Sequence, residues 1–302
     1  MSLHLGIDVG TSGVRAAVVD GRCRKVAFAR TSLPPAILER GRPVQDPHEW
    51  WRSLERCLDS LSSNLIEAGR SIAEVAALAV DGTSGTVLLA DSRLRPVTSA
   101  LMYNSSGFLE EARAIDAFAP ENSIARGASS ALARLLHLQS MPTADTAAHA
   151  MHQADWIAAK LIGSGGFSDE NNVLKTGYDL ETGGWPEDWF GKLGMRMELL
   201  PQVKPAGRTV GTVQRKICDR FGFSPGTQVA AGTTDSIAAF IASGASNVGD
   251  GVTSVGTTLV IKLLSEAPVT DVKRGVYSHR IFGMWLAGGA SNAGGGALLR
   301  HF

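Results

Sequence analysis

The sequence predicts an α/β protein, with a mixed-sheet domain followed by the start of a second domain of the same fold. Three observations carry this expectation. Short strand-and-turn runs rich in Val, Ile and Ala open the chain; a strongly patterned helix separates them from the next apolar strand; and a strand, Gly-Thr turn, strand design returns after residue 251.

Residues 3–8, 14–20 and 25–29 alternate in character and are divided by turn residues, which predicts adjacent antiparallel strands. Asp46 is a natural N-cap and Pro47 fits a first turn. Trp50, Leu54, Leu58 and Leu61 then recur at helical spacing, so a helix runs to about residue 68. Residues 75–81 form an apolar strand that ends in Asp81, and residues 86–91 continue the same sheet. Helices are expected over 108–118, 129–139 and 144–161, the last stopped by Gly163-Ser164-Gly165-Gly166. The polar stretch 169–184 reads as an extended loop. Short helices follow at 185–192 and 215–221, on either side of the turn-rich segment 201–211.

Residues 229–232 read as a strand, 233–236 as its terminal turn and 237–243 as a helix. The Gly-rich run 244–251 marks a boundary, giving domains 1–243 and 244–302. Beyond it, residues 251–263 repeat the N-terminal design, which a duplicated fold explains. Residues 284–290 make one more strand, and a helix begins at Gly294.

Composition excludes several classes of function. Lys+Arg and Asp+Glu are both 29 in 302 residues, so net charge gives no electrostatic argument for a nucleic-acid or anionic-membrane partner, and any polyanion must be held locally. Hydrophobic residues at 44% suffice for a core, which excludes wholesale disorder. Cys23, Cys57 and Cys218 form neither a Cys-x-x-Cys pair nor an even set, and read as buried small side chains in a reducing, cytoplasmic setting. Trp50 and Trp51 read as packing residues, and the histidines lack metal-ligand spacing.

The chemistry concentrates in Asp and Gly-Thr turns. A strand-borne Asp8 followed by Gly10-Thr11-Ser12-Gly13 allows backbone N–H groups and hydroxyls to approach phosphate oxygens, and lets the carboxylate contact Mg²⁺. The run is neither a Walker loop nor a Rossmann fingerprint, and taken alone it is more readily an ordinary Asp-Gly hairpin turn than a phosphate site. Gly232-Thr233-Thr234-Asp235 and Gly256-Thr257-Thr258 add two further turns of this kind. Phosphoryl transfer needs such a set: turns to hold phosphates, a carboxylate for the metal and another to take the proton of the attacking hydroxyl. On local grounds Asp235 is as readily a helix cap as a catalytic base.

These segments resemble the FGGY carbohydrate kinases, and the order of elements resembles the ribonuclease H-like core of the actin, hexokinase and sugar-kinase superfamily. Residues 5–13 resemble the family's first phosphate motif, 231–236 the segment with the catalytic Asp, and 253–258 the second phosphate motif. Gly288-Gly289-Ala290-Ser291-Asn292 and Gly294-Gly295-Gly296 resemble a strand-to-helix stretch of the second domain. Asp81-Gly82-Thr83-Ser84-Gly85, Met102-Tyr103-Asn104 and residues 275–280 are most similar to the short D-ribulose kinase subgroup of cyanobacteria and plant plastids.

The resemblance implies ATP and Mg²⁺ as cofactors, with Asp8 as the candidate metal contact, and a ketopentose substrate, D-ribulose before D-xylulose. It implies Asp235 as the base, and Asp8, Asp81, Ser84, Asn104 and Asp235 around the sugar. Thr11, Ser12 and Gly13 would meet the γ-phosphate, and Gly256, Thr257 and Thr258 the nucleotide phosphates. Asp169, Asn172 and Thr176 resemble the family's substrate-facing loop, and Asp155 a position near the sugar. Arg134 and His137 stand where the family usually has Lys and Trp.

The family's adenosine motif and C-terminal helix lie beyond Phe302. A sheet begun at residue 252 is then expected to show an open edge and an uncovered apolar face, which favours self-association. The competing expectations are a member that binds sugar without turnover, and a regulatory ATPase of the same superfamily.

Overall fold

The structure, a computed structural model, describes residues 2–128, 130–255, 259–291 and 294. Its first sheet contains β1 (Leu3–Val9), β2 (Gly13–Val19) and β3 (Lys25–Ser32), paired antiparallel as the alternation predicts. The short strands β4 (Ile37–Glu39) and β5 (Arg42–Gln45) lead into α1 (Pro47–Glu67). Asp46 caps this helix by accepting a bond from the His48 N–H, and Trp50, Leu54, Leu58, Leu61 and Leu65 bury its inner stripe. The helix returns the chain to β6 (Val75–Gly82), which lies parallel to β1 as a crossover connection requires.

β7 (Val87–Ala90) departs from expectation by leaving this sheet. Gly85, at φ +88°, turns the chain, and β7 joins β8 (Ala100–Leu101), β5, β4 and a further strand in a second sheet. Helices α2 (Leu109–Phe118) and α3 (Ala131–Gln139) follow as the periodicity predicts. The single helix expected over 144–161 is instead a 3₁₀ turn at Pro142–Thr146, strand β9 (His149–His152) and α4 (Gln153–Ile162). Ala-rich sequence suits a buried strand as well as a helix, and β9 pairs antiparallel with β7, which settles the competition.

The stretch 169–184 is also more ordered than its polarity suggests. It begins at the end of β10 (Phe167–Asp169), forms a 3₁₀ turn at Val173–Thr176 and buries Asn171, Asn172 and Thr176. α5 (Glu187–Lys192), β11 (Gln202–Lys204), β12 (Thr209–Thr212) and α6 (Arg215–Phe221) lead to β13 (Gln228–Thr234) and α7 (Asp235–Ala242). The strand is longer and the helix starts earlier than expected. With β12 and β13 the first sheet has the order β12-β13-β6-β1-β2-β3, in which β13, β6 and β1 are parallel.

The last sheet, β14 (Gly251–Val255), β15 (Leu259–Ser265), β16 (Val276–Ile281) and β17 (Met284–Ser291), is antiparallel in the order β14-β15-β17-β16. Its β14–β15 hairpin repeats the β1–β2 arrangement. Leu264, Ile281 and Leu286 on its inner face pack with Ile237 and Phe240 of α7. Val255, Ile261 and Leu263 are exposed. Cys57 and Cys218 are buried as expected, whereas Cys23 is exposed in the β2–β3 turn, where it has positive φ. No helix among the described residues is long and apolar enough to cross a membrane.

Candidate active site

Parallel β13, β6 and β1 deliver their C-terminal ends to one rim, the place where open α/β sheets gather ligand-binding residues. Asp8 on β1 is the register partner of Asp81 on β6. Thr233 pairs with Asp81 and Thr234 with Gly82, so Asp235 begins α7 immediately beside them. Three Asp residues separated widely in sequence therefore meet at the rim.

Backbone packing at Gly232 makes this possible. The β13 ladder slips between Ala230 and Thr233, and a Cβ on Gly232 would lie 1.7 Å from the Val80 carbonyl oxygen. Any side chain there would separate β13 from β6. The Thr11-Ser12-Gly13 turn beside Asp8 is braced from α1: Gln45 Nε2 donates to the Thr11 carbonyl at 2.9 Å, and the buried Trp50 Nε1 donates to Gln45 Oε1 at 2.9 Å. Thr11 and Ser12 remain exposed above that brace.

Neighbouring carboxylate charge adds to burial in raising the pKa of Asp81 and of Asp235. Asp81 is pushed up to about 8, chiefly by burial and then by the charges of Asp8 and Asp235, against the pull of Arg15. Asp235 is raised by loss of hydration and by Asp8; the Ser236 N–H, donated to Asp235 Oδ1 at 2.6 Å, and the charges of Lys175 and Lys262 oppose this. Asp8 is held by Arg15, Nη1 to Oδ2 at 2.6 Å. The N-cap residue of α7 is Thr234, and Asp235 opens its first turn, where it accepts from a helix N–H as the helix-terminus reading expects while the residue stays exposed at the rim.

The sugar-side residues cluster nearby. Ser84 Oγ has no hydrogen-bond partner among the described residues, nor has Thr234 Oγ1. Asn104 is exposed in a loop tied to the Ser84 turn by a residue left off the sequence-based site: Arg134, buried, donates to the carbonyls of Gly85 at 3.0 Å, Tyr103 at 3.1 Å and Ser105 at 3.0 Å. The sequence-based site also omitted Arg15, Lys175 and Lys262, the cations around the three carboxylates. Of these only Arg15 had a local signal, since it faces Asp8 across a predicted hairpin.

Asp169, Asn172 and Thr176, expected to face substrate, do not open to the rim. All are buried, with Asp169 accepting from the Asn172 amide at 2.5 Å and Thr176 Oγ1 bonded to His152 Nε2 at 3.1 Å. Asp155 accepts from the His152 N–H at 3.2 Å, and so satisfies backbone. Gly256, Thr257 and Thr258, with Asn292, Gly295 and Gly296, lie outside the described residues. Among the described residues no group of three His, Cys, Asp or Glu side chains is placed to hold a metal ion.

The fold that carries this rim is shared with solved structures of sugar kinases. A model of the N-terminal domain of the FGGY family of carbohydrate kinases matches residues 3–242, and the chain belongs to that family. It is 30% identical over 281 residues to a xylulose kinase of Streptomyces coelicolor, covering 89% of this chain and 56% of that protein. It is 24% identical to a ribulokinase of Halalkalibacterium halodurans over 304 residues, 87% of this chain and 53% of that one. The crystal structure of xylulose kinase from Rhodospirillum rubrum superposes with a TM-score of 0.89 at 22% identity, covering 99% of this chain and 62% of that chain, which shows the fold. The chain thus spans a little over half the length of the curated relatives it matches.

Proposed function

We propose that this chain carries the sugar-binding and proton-accepting part of an ATP-dependent ketopentose kinase, with D-ribulose the first candidate substrate and D-xylulose the second. One observation carries the reading: Asp8, Asp81 and Asp235 converge at the C-terminal ends of parallel strands while Asp235 stays open to solvent. The relatives named xylulose kinase and ribulokinase support the substrate class.

In this reading the Asp235 carboxylate takes the proton of a sugar hydroxyl as its oxygen bonds to the γ-phosphorus of ATP. The bond from that phosphorus to the bridging oxygen breaks and ADP leaves. Thr11, Ser12 and Gly13 offer hydroxyl and N–H donors to the transferred phosphoryl group, and Gly256, Thr257 and Thr258 are assigned to the nucleotide phosphates. Ser84, Asn104, Asp8 and Asp81 face the sugar. Asp81, protonated at neutral pH, donates a hydrogen bond there instead of adding a third charge. Asp8 would contact the Mg²⁺ that arrives with ATP, directly or through water, and that cation would neutralise phosphate charge.

ADP formation dependent on D-ribulose or D-xylulose, lost in Asp235→Asn with sugar binding retained, is the expected result. Sugar binding without any ADP formation would favour a binding-only member. Nucleotide hydrolysis that no pentose stimulates would reject the kinase reading.

A further inference from the structure

Lys262 occupies a position that stability alone would give to an apolar residue. On β15 its neighbours Ile261 and Leu263 face outward, while Lys262 and Leu264 face inward and are 7% and 1% exposed. The inner face is otherwise the Leu264, Ile281, Leu286, Ile237 and Phe240 core. Room for the long stem comes from its register partner Gly288, where a Cβ would lie 3.2 Å from Lys262 Cγ. Its ammonium donates to the Ser236 carbonyl oxygen at 2.7 Å and to Ser236 Oγ at 3.0 Å, in the first turn of α7. A cation at a helix N-terminus opposes the helix dipole, and a buried cation also loses hydration. Burial accordingly lowers the Lys262 pKa to about 8.

The compensating charge is Asp235, next to Ser236 in sequence. Asp8 from β1 and Asp81 from β6 crowd this carboxylate, and Lys175 from the 3₁₀ turn and Lys262 from β15 oppose them. Arg15 of β2 is engaged with Asp8. His279 of β16 is kept neutral by burial and by both lysines. Lys262 is the member of this set that comes from the last sheet and also grips the turn carrying Asp235.

We propose that Lys262 is a positioning residue for the Asp235 carboxylate, through which seating of β15 on α7 readies the proton acceptor. It fixes Ser236, whose N–H in turn fixes Asp235 Oδ1, and it supplies positive charge that favours the ionised form. This rests on the reading of Asp235 as the base, so the test has one arm that needs no turnover. Lys262→Met removes anchor and charge, Lys262→Gln keeps a hydrogen-bond donor without charge, and Lys262→Arg keeps both.

The Asp235 carboxyl carbon, followed by NMR across pH, is expected to titrate at higher pH in the Met and Gln variants than in the wild type, and near the wild-type midpoint in Arg. In steady state, kcat for ketopentose phosphorylation falls by about tenfold or more in Met while the sugar KM stays within about twofold; Arg recovers most of the loss. An unmoved Asp235 midpoint in both Met and Gln overturns the proposal, as does a Met variant equal to Arg. A wild-type chain that makes no ADP with any ketopentose rejects the kinase reading instead, and the titration still decides Lys262.

Discussion

Two groups of carboxylates with raised pKa lie within this fold, and they differ in what surrounds them. At the rim the raised pair is Asp81 and Asp235, which stand with Asp8 at three parallel strand ends, with exposed Thr11 and Ser12 in the turn after Asp8 and cations from three separate elements around them. Inside, Asp155 and Asp169 are fully enclosed. Burial and then the Asp169 charge push Asp155 far up, and burial pushes Asp169 to about 6 against the pull of the Asn171 and Asn172 donors. His152 beside them is held neutral, its pKa lowered to about 3 by burial and by Arg134. A perturbed carboxylate is therefore not in itself a sign of chemistry. Access to solvent and an unused acceptor separate the rim from the sealed pair.

Substitution at the two places should break the comparison most visibly. Asp235→Asn removes the proton acceptor and is expected to lower sugar-dependent ADP formation by about 10²–10⁴-fold, the range for a lost general base, with the melting temperature nearly unchanged. Asp169→Asn is expected to lower the melting temperature while turnover per folded molecule stays within about tenfold. Turnover within tenfold of wild type in Asp235→Asn would assign the base elsewhere.

The next effect concerns the backbone that brings the rim together. Gly232→Ala places a methyl against the Val80 carbonyl in a ladder that cannot yield without parting β13 from β6. Overpacking of a core costs about 1–3 kcal/mol and sometimes more. The upper end is expected here, a fall of about 6–12 °C in the melting temperature. Gly6→Ala, where a Cβ has nothing within 4 Å, is the control and should be near neutral.

A smaller loss is expected from Arg134→Lys. A buried guanidinium holds three carbonyls from the Ser84 turn and the Asn104 loop, a fork that one ammonium cannot reproduce. Calorimetry should show sugar affinity reduced by about tenfold, the equivalent of one lost hydrogen bond of about 1.4 kcal/mol, while nucleotide binding is unaltered. Equal losses in sugar and nucleotide binding would mean that Arg134 supports the fold at large.

How much of this was legible in the sequence follows from how local each feature is. Asp8, Asp81 and Asp235 each stand at the end of an apolar strand beside Gly and Thr, a pattern contained within a few residues, and all three reach the rim. Arg134 and Lys262 lie 29 and 26 residues from the nearest groups they grip, and Lys175 is remote in sequence from Asp235, so only the tertiary fold reveals them. Burial reversed the reading of Asp169, Asn172 and Thr176, because polar sequence suggests a solvated loop until its partners are known. β9 was hidden for a different reason: its Ala, Met and His residues satisfy a helical window as well as a strand, and pairing with β7 decides.

Asp81 gives the finest test of the difference between open and sealed carboxylates. Its folded pKa of about 8 lies above the ordinary carboxylate value, so between the unfolded value and pH 8 the native state binds more protons than the unfolded chain. The stability contributed by this proton is therefore fully present below the unfolded pKa and is lost as pH rises towards 8. Asp81→Asn should flatten that decline in urea unfolding and raise stability near pH 8 relative to wild type. The sealed Asp155 and Asp169 titrate in the same direction but are buried. Saturating D-ribulose is then expected to shift the pH dependence that Asp81 contributes and to leave theirs in place. A wild-type slope unchanged by Asp81→Asn would mean that the rim keeps Asp81 charged, and that Lys175, Lys262 and Arg15 together outweigh its burial.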